Sequence, residues 1–354
     1  MSDEVLIEER DGLGLITLNR PKALNSLTAD MCTAIREALK DWRNRPSIQA
    51  VVVMGAGDKA FCAGGDVVKV ARSRQEGGDE WARFFHSEYL MNVAIAEFPK
   101  PYVALVDGIA MGGGVGVSLP GDFWIATEKT LFAMPETGLG LFPDVGGSFM
   151  LPRLPGEAGT WLALTGARIK REDLFALGIA THTMASADMD GVVDALAKAE
   201  ITCHDDVRAV LDEMHTPPEP APLARHLDAV DRHFDFDSMA EIMESLRDGD
   251  DWCRAQWGIL TTKSPTSCKL TLAQLRRGRN LDRFRDAMVM EYRMVNRVMD
   301  GHDFFEGVRA ILIDKDQKPV WKPARLADVA DDTIEAFFVP LGSNRELDLS
   351  RLEG

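Results

Sequence analysis

The chain has no excess of basic charge: 40 Lys and Arg stand against 56 Asp and Glu over 354 residues, a formal net charge of -16. Phosphate backbones attract basic surfaces, and no long Lys/Arg run offsets the acidity, so the composition argues against a nucleic-acid partner. A phosphate-bearing small ligand needs only a local basic patch and stays open. No apolar run approaches the roughly 18 residues that span a bilayer, since Asp107 and Asp122 interrupt the best one, and no membrane partner is expected. The opening "MSDEVLIEERDG" carries acids where a signal peptide has a basic and then an apolar region. The five cysteines, Cys32, Cys62, Cys203, Cys253 and Cys268, form no CxxC pair and no zinc-type spacing. Free thiols in a reducing cytoplasm are therefore expected, and no metal.

Several catalytic signatures are missing as well. GxxxxGK[ST] does not occur, which excludes a P-loop, and without GxSxG there is no nucleophile elbow of a serine hydrolase. Gly112 and Gly114 lack a third glycine at the offset that a dinucleotide fingerprint needs. The histidines make no HExxH pair. His86 is the only one upstream of the glycine-rich region that follows, and a structural role is expected for it.

What is present is an ordinary globular composition, 45% hydrophobic and 27% charged. "VLIEERDGLGLITLNRP" reads as a hairpin around Asp11-Gly12. Leu27, Met31, Ile35, Leu39 and Trp42 then recur at helical spacing, with Thr28 as the N-cap. "AVVVMGAG" and "PYVALVDGIA" read as buried strands, "GGGVGVSLPG" as a short helix and "DFWIATEKTLFAM" as two further short strands. This order predicts a layered α/β domain over about residues 1–200, with helices against parallel sheet. "HTPPEPAPLARH", residues 215–226, holds four prolines and reads as a loop. Helical patterns follow over residues 237–247, 250–260, 267–276, 280–299 and 303–313, so residues 201–354 are expected to form a helical region packed on the core.

Two glycine-rich stretches, "GAGDKAFCAGGDV" and "GIAMGGGVGVS", each follow a predicted strand and precede a predicted helix. Such junctions aim free backbone N–H groups at a developing negative charge. "FAMPETGLGLFPDVGGSF" then places Glu136 and Asp144 in otherwise apolar surroundings. Burial raises a carboxyl pKa, which suits a general acid or base near neutral pH.

"NRPKALNSL", "KAFCAGGDV", "GIAMGGGVG" and "FAMPETGLGLFPDVGG", in this order, resemble the enoyl-CoA hydratase/isomerase (crotonase) superfamily and, within it, the 3-hydroxyisobutyryl-CoA hydrolase branch. "SPTSCKLT" and "FFEGVRAILIDKDQKPVWKP" extend the resemblance over nearly the whole chain. It implies an α/β fold: a crotonase-like spiral of ββα repeats, followed by a C-terminal helical region, with a CoA thioester bound across the core. By position, Gly65 and Gly113 match the family residues whose N–H groups form the oxyanion hole. The hydratases of this superfamily place a catalytic Glu two residues after their GGG run; here that position is Gly116, which moves no proton. What remains is Glu136, implied as the main catalytic carboxylate, and Asp144, implied to orient the substrate hydroxyl or share proton transfer. Glu88 matches an acidic substrate-site position. Backbone groups of Lys22, Ala23, Leu24, Ala63 and Asp66 are implied at the nucleotide site, with Lys22, Lys59 and Lys69 as sources of positive charge.

The activity so implied is hydrolysis of a short 3-hydroxyacyl-CoA thioester in valine catabolism. No separate cofactor is implied, CoA being part of the substrate, and the family leaves a homo-oligomer open. The alternatives at this point are a hydratase or isomerase on another acyl-CoA, and a non-catalytic acyl-CoA-binding protein.

Overall fold

In the computed structural model residues 3–342 and 345–352 are described. The outermost residues of the two expected regions, 1–2 and 353–354, lie outside them, as do the first two residues of the opening segment compared above with a signal peptide. β1 (Val5–Arg10) and β2 (Leu13–Leu18) pair antiparallel about Asp11 and Gly12, which both adopt positive φ, 48° and 87°. A two-residue hairpin turn of this kind requires left-handed backbone at both positions, and Asp-Gly supplies it cheaply. The first helix runs Ala29–Arg43; Thr28 Oγ1 accepts from the Met31 N–H at 3.3 Å. Met31, Ile35, Leu39 and Trp42 form its buried stripe.

From there the chain alternates between two sheets. β3 (Ala50–Gly55), β5 (Tyr102–Val106), β7 (Phe123–Ala126) and β10 (His182–Thr183) join β1 and β2 in a six-stranded sheet of order β1-β2-β3-β5-β7-β10, parallel beyond the hairpin. β4 (Ala60–Cys62), β6 (Ile109–Met111), β8 (Leu131–Ala133) and β9 (Ile169–Lys170) make the second sheet, with only the β8/β9 pair antiparallel. Each turn thus adds one strand to either sheet, which is the spiral. The residue pattern alone predicted helices against parallel sheet in layers and did not separate two sheets; short three-residue strands such as Ala60–Cys62 carry too little alternation to announce a second one.

β3, β5 and β7 are hydrophobic throughout because both faces of the large sheet are covered. Val51, Val53, Ala104, Val106 and Trp124 face a large core that includes the first helix and the C-terminal helices. Their neighbours Val52, Val103, Leu105, Phe123 and Ile125 face a smaller core closed by helices Met189–Lys198 and His204–Met214. The expected boundary near residue 200 falls in the link between those two helices.

The later helices form where expected: Met239–Arg247, Asp251–Leu260, Pro265–Gly278, Phe284–Val298 and Asp303–Val308, the last running into a π-turn over Arg309–Ile313. The proline-rich segment closes on a short 3₁₀ turn, Pro222–His226. No described helix is long and apolar enough to cross a membrane.

Candidate active site

A cavity of about 800 Å³ opens where the glycine junctions of successive spiral turns meet the C-terminal helices. Ten of the residues singled out from the sequence line it: Glu136, Asp144, Gly65, Gly113, Glu88, Lys22, Ala23, Leu24, Ala63 and Asp66. Its size and mixed lining suit a small-molecule ligand.

Gly65 follows β4, and Gly113 opens the four-residue helix Gly113–Gly116 after β6. A Cβ on Gly113 would stand 2.4 Å from Glu88 Oε1 and 3.2 Å from the Gly65 nitrogen, so the two backbones adjoin across a space that admits no side chain. Neither N–H meets an acceptor among the described residues. Two unengaged donors side by side can hold one negative oxygen.

Glu136 opens a 3₁₀ turn, Glu136–Leu139, that follows β8 through Met134 and Pro135. The turn is pinned by Thr137, whose hydroxyl donates to the Leu164 carbonyl at 3.0 Å and whose own carbonyl accepts from the Ser264 N–H at 3.1 Å. Glu136 Oε1 lies 3.0 Å from where a Cβ on Gly112 would be, and Gly112 has φ 47°. Glycine is required there both for conformation and for closeness. Glu136 Oε2, Glu88 Oε1 and Asn92 Oδ1 are buried and have no hydrogen-bond partner among the described residues. A buried polar atom left this way costs about 1–3 kcal/mol, so the two that line the cavity, on Glu136 and Glu88, mark it as built for an occupant.

Burial drives the Glu136 carboxyl well above the ordinary carboxylate range, and the Asp144 charge pushes it the same way. Glu88 is raised for the same reasons, burial first and then Asp144, Glu136 and Glu291. Asp144 is pushed up to about 7 by burial, against the Tyr89 hydroxyl, which donates to its Oδ2 at 2.8 Å. Like charges confined together cannot all ionise at once, and burial raises all three carboxyls, which suits groups that hold and pass protons.

Gly116 is filled from both sides: a Cβ there would meet Val145 Cβ at 2.5 Å and Asn92 Nδ2 at 2.8 Å. The position has neither a carboxylate nor room for one.

The basic residues fall differently from expectation. Lys22 lines the cavity, but Lys69 is ion-paired with Glu80 at 2.8 Å and Lys59 lies along an adjoining cleft that shares Lys22 and Leu24 with the cavity. Arg168, Lys263 and Lys315, which sequence reasoning missed, line the cavity instead. Among the described residues Lys22, Arg168, Lys263 and Lys315 make no ion pair, while acids outnumber bases in the chain as a whole. Lys263 is lowered from its usual value by burial, with Glu136 nearby pulling it back up. The one sequence signal was that Lys263 immediately precedes "SPTSCKLT". His86 is away from the cavity, its ring edge-on to Tyr292 at 6.1 Å. No cluster of metal-ligating groups occurs among the described residues.

The family model described as enoyl-CoA hydratase/isomerase matches residues 13–338. The chain belongs to this family. Within it, the chain is 45% identical over 346 residues to the mitochondrial 3-hydroxyisobutyryl-CoA hydrolase of Rattus norvegicus, covering 96% of this chain and 90% of that protein. It is 46% identical over 352 residues to the corresponding protein of Danio rerio, with 98% and 92% covered. Among solved family structures, a carnitinyl-CoA dehydratase from Mycobacterium thermoresistibile superimposes with a TM-score of 0.91 at 39% identity, over 98% of this chain and 99% of that one. An enoyl-CoA hydratase from Rhodobacter sphaeroides 2.4.1 gives 0.87 at 36% identity, over the same shares. The family's spiral fold is therefore this chain's fold.

Proposed function

We propose that this protein is a CoA-thioester hydrolase acting on short 3-hydroxyacyl-CoA, with 3-hydroxyisobutyryl-CoA of valine breakdown as substrate. The observation that carries the reading is Gly116. Water addition by a pair of carboxylates needs a second acid at that position, and Val145 and Asn92 occupy the space it would take. Glu136 and Asp144 line the same cavity as the free N–H groups of Gly65 and Gly113. The near-full-length identity to the hydrolases of rat and zebrafish supports the same choice.

In this reading the thioester oxygen sits between the Gly65 and Gly113 N–H groups, which stabilise the negative charge that develops on it. Glu136 either attacks the carbonyl carbon, displacing the CoA thiolate to leave a mixed anhydride that water then opens, or takes a proton from the attacking water. Either route consumes one water and releases acid plus thiol. Asp144 holds the substrate hydroxyl or shares in proton transfer, and Lys22, Arg168, Lys263 and Lys315 face the phosphates.

The names of the solved structures favour a second reading, dehydration or hydration of another acyl-CoA. A panel of acyl-CoAs with free-thiol release as the readout separates the two. Thiol release from 3-hydroxyisobutyryl-CoA is the expected outcome; hydration of crotonyl-CoA without thiol release would sink the hydrolase reading. Tight CoA binding with no turnover of any kind would favour a non-catalytic binding protein. A single turnover in ¹⁸O-labelled water places label in Glu136 when an anhydride is opened at the Glu136 carbonyl, whereas water attack at the acyl carbon labels the acid product alone; trapping of an acyl-Glu136 adduct by hydroxylamine then marks the anhydride route.

A cytoplasmic location is part of the proposal and is checked by fractionation. The cysteines are all free and four of them are buried, which fits a reducing compartment, whereas the rat and zebrafish relatives are named mitochondrial. A homo-oligomer is likewise proposed from the family resemblance, with the mass in solution as its test.

A further inference from the structure

Asp144 has an unusual mounting. The residue after it, Val145, is β-branched yet sits at φ 52°, and Gly146 follows at φ 93°. A β-branched side chain in left-handed backbone is a strained arrangement that persists only where its surroundings impose it. The imposing groups lie far along the chain. Glu291, fully buried in helix Phe284–Val298, accepts from the Gly146 N–H at 2.9 Å and from the Ser148 N–H at 3.0 Å, and the Ser148 hydroxyl donates to it as well. Gln274 Nε2 donates to the Pro143 carbonyl at 2.7 Å from helix Pro265–Gly278. A side chain on Gly146 would strike the Phe284 ring at 2.3 Å, so the loop is also wedged from the helix side.

We infer that Glu291 is the positioning residue that sets Asp144 for the reaction, and that through Val145 it also keeps position 116 closed to a second carboxylate. The inference rests on the hydrolase reading for Asp144's role but not for the loop geometry. Two features argue that Glu291 acts on the loop and not merely on packing. All its bonds to the main chain go to Gly146 and Ser148, one and three residues beyond the strained position. Helix Phe284–Val298 also presents Tyr292 edge-on to Tyr89, at 6.1 Å between rings, and Tyr89 is the hydroxyl that holds Asp144 Oδ2. One helix thus braces both the loop and the partner of its carboxylate.

Glutamine at 291 cannot accept from both N–H groups, because one of its ends is itself a donor. Misplacing a reacting group by about an ångström costs roughly a hundredfold in rate. Glu291→Gln is therefore expected to lower kcat by about ten- to a hundredfold while KM changes less than about threefold. Its structure should show the Tyr89–Asp144 hydrogen bond broken or lengthened. Leu246→Ala, a core truncation in helix Met239–Arg247 outside the cavity, serves as a control for lost stability and should keep kcat near wild type. A Glu291→Gln enzyme that folds and keeps kcat within twofold, with the loop in place, overturns the inference. So does a Leu246→Ala enzyme of matched stability with the same loss of kcat. If the wild type releases no thiol from any substrate, the hydrolase reading fails, and the loop geometry in the Glu291→Gln structure then decides the positioning claim by itself.

Discussion

Two buried glutamates stand in opposite conditions. Glu157, whose side chain is 7% exposed, is held by Arg276 at 3.0 Å, by Arg279 at 2.7 Å and by the Thr160 hydroxyl. Burial pushes its carboxyl up, but Thr160, Arg279 and Arg276 outweigh burial and bring it below the usual range. Glu136 is as buried, has one oxygen with no partner among the described residues, and is driven the other way. The first arrangement fastens helix Ala158–Thr165 to Pro265–Gly278. The second is stable only at a cost, and that cost marks the place where the chain keeps chemistry available instead of satisfying it.

The contrast yields graded expectations. Glu136→Gln should cut thiol release by about a thousandfold with the fold intact; retention of full activity removes Glu136 from its role. Asp144→Asn should cost about a hundredfold, measured on the same substrate, and an unaltered rate would leave Asp144 as a purely structural acid. The pH profile comes next. A raised pKa keeps a carboxyl protonated at low pH, where it can neither attack nor accept a proton, so kcat/KM should rise with pH, with a step near 7 for Asp144 and the step of Glu136 displaced upward from the ordinary carboxylate range. A rate that falls across this range would put the acid form in the essential role. Glu157→Ala should leave kcat unchanged and lower stability by about 3 kcal/mol in urea titration. Because its carboxyl lies below the usual range when folded, its contribution is present above the unfolded value and is lost as pH falls through the folded one. The wild type should therefore lose stability toward acid faster than the variant does.

Local signals were legible in the sequence. The Asp11-Gly12 turn, the Thr28 cap and the C-terminal helices depend on neighbouring residues, and each was placed by spacing alone. Helix Glu80–Ala96, which carries Glu88, Tyr89 and Asn92, was not singled out as an element. It buries ten side chains around most of its circumference, so the amphipathic stripe that identifies a surface helix is absent. The carboxylates and glycines that line the cavity sit in short motifs and were legible for that reason. Arg168, Lys263 and Lys315 were not, since a lysine shows its lack of a counter-ion only once the chain has folded around it. Glu291 was invisible for a related reason: its partners are 143 and 145 residues away.

The contact between Val145 and Gly116 also restricts the order in which this protein can change. Replacing Gly116 by glutamate alone drives a side chain into Val145 Cβ, which cannot swing aside as a long side chain would. Moving the 144–148 loop alone abandons Asp144 before a new acid is available. On the proposed roles the two positions are coupled: Gly116→Glu is expected to fold and function only together with a smaller residue at 145.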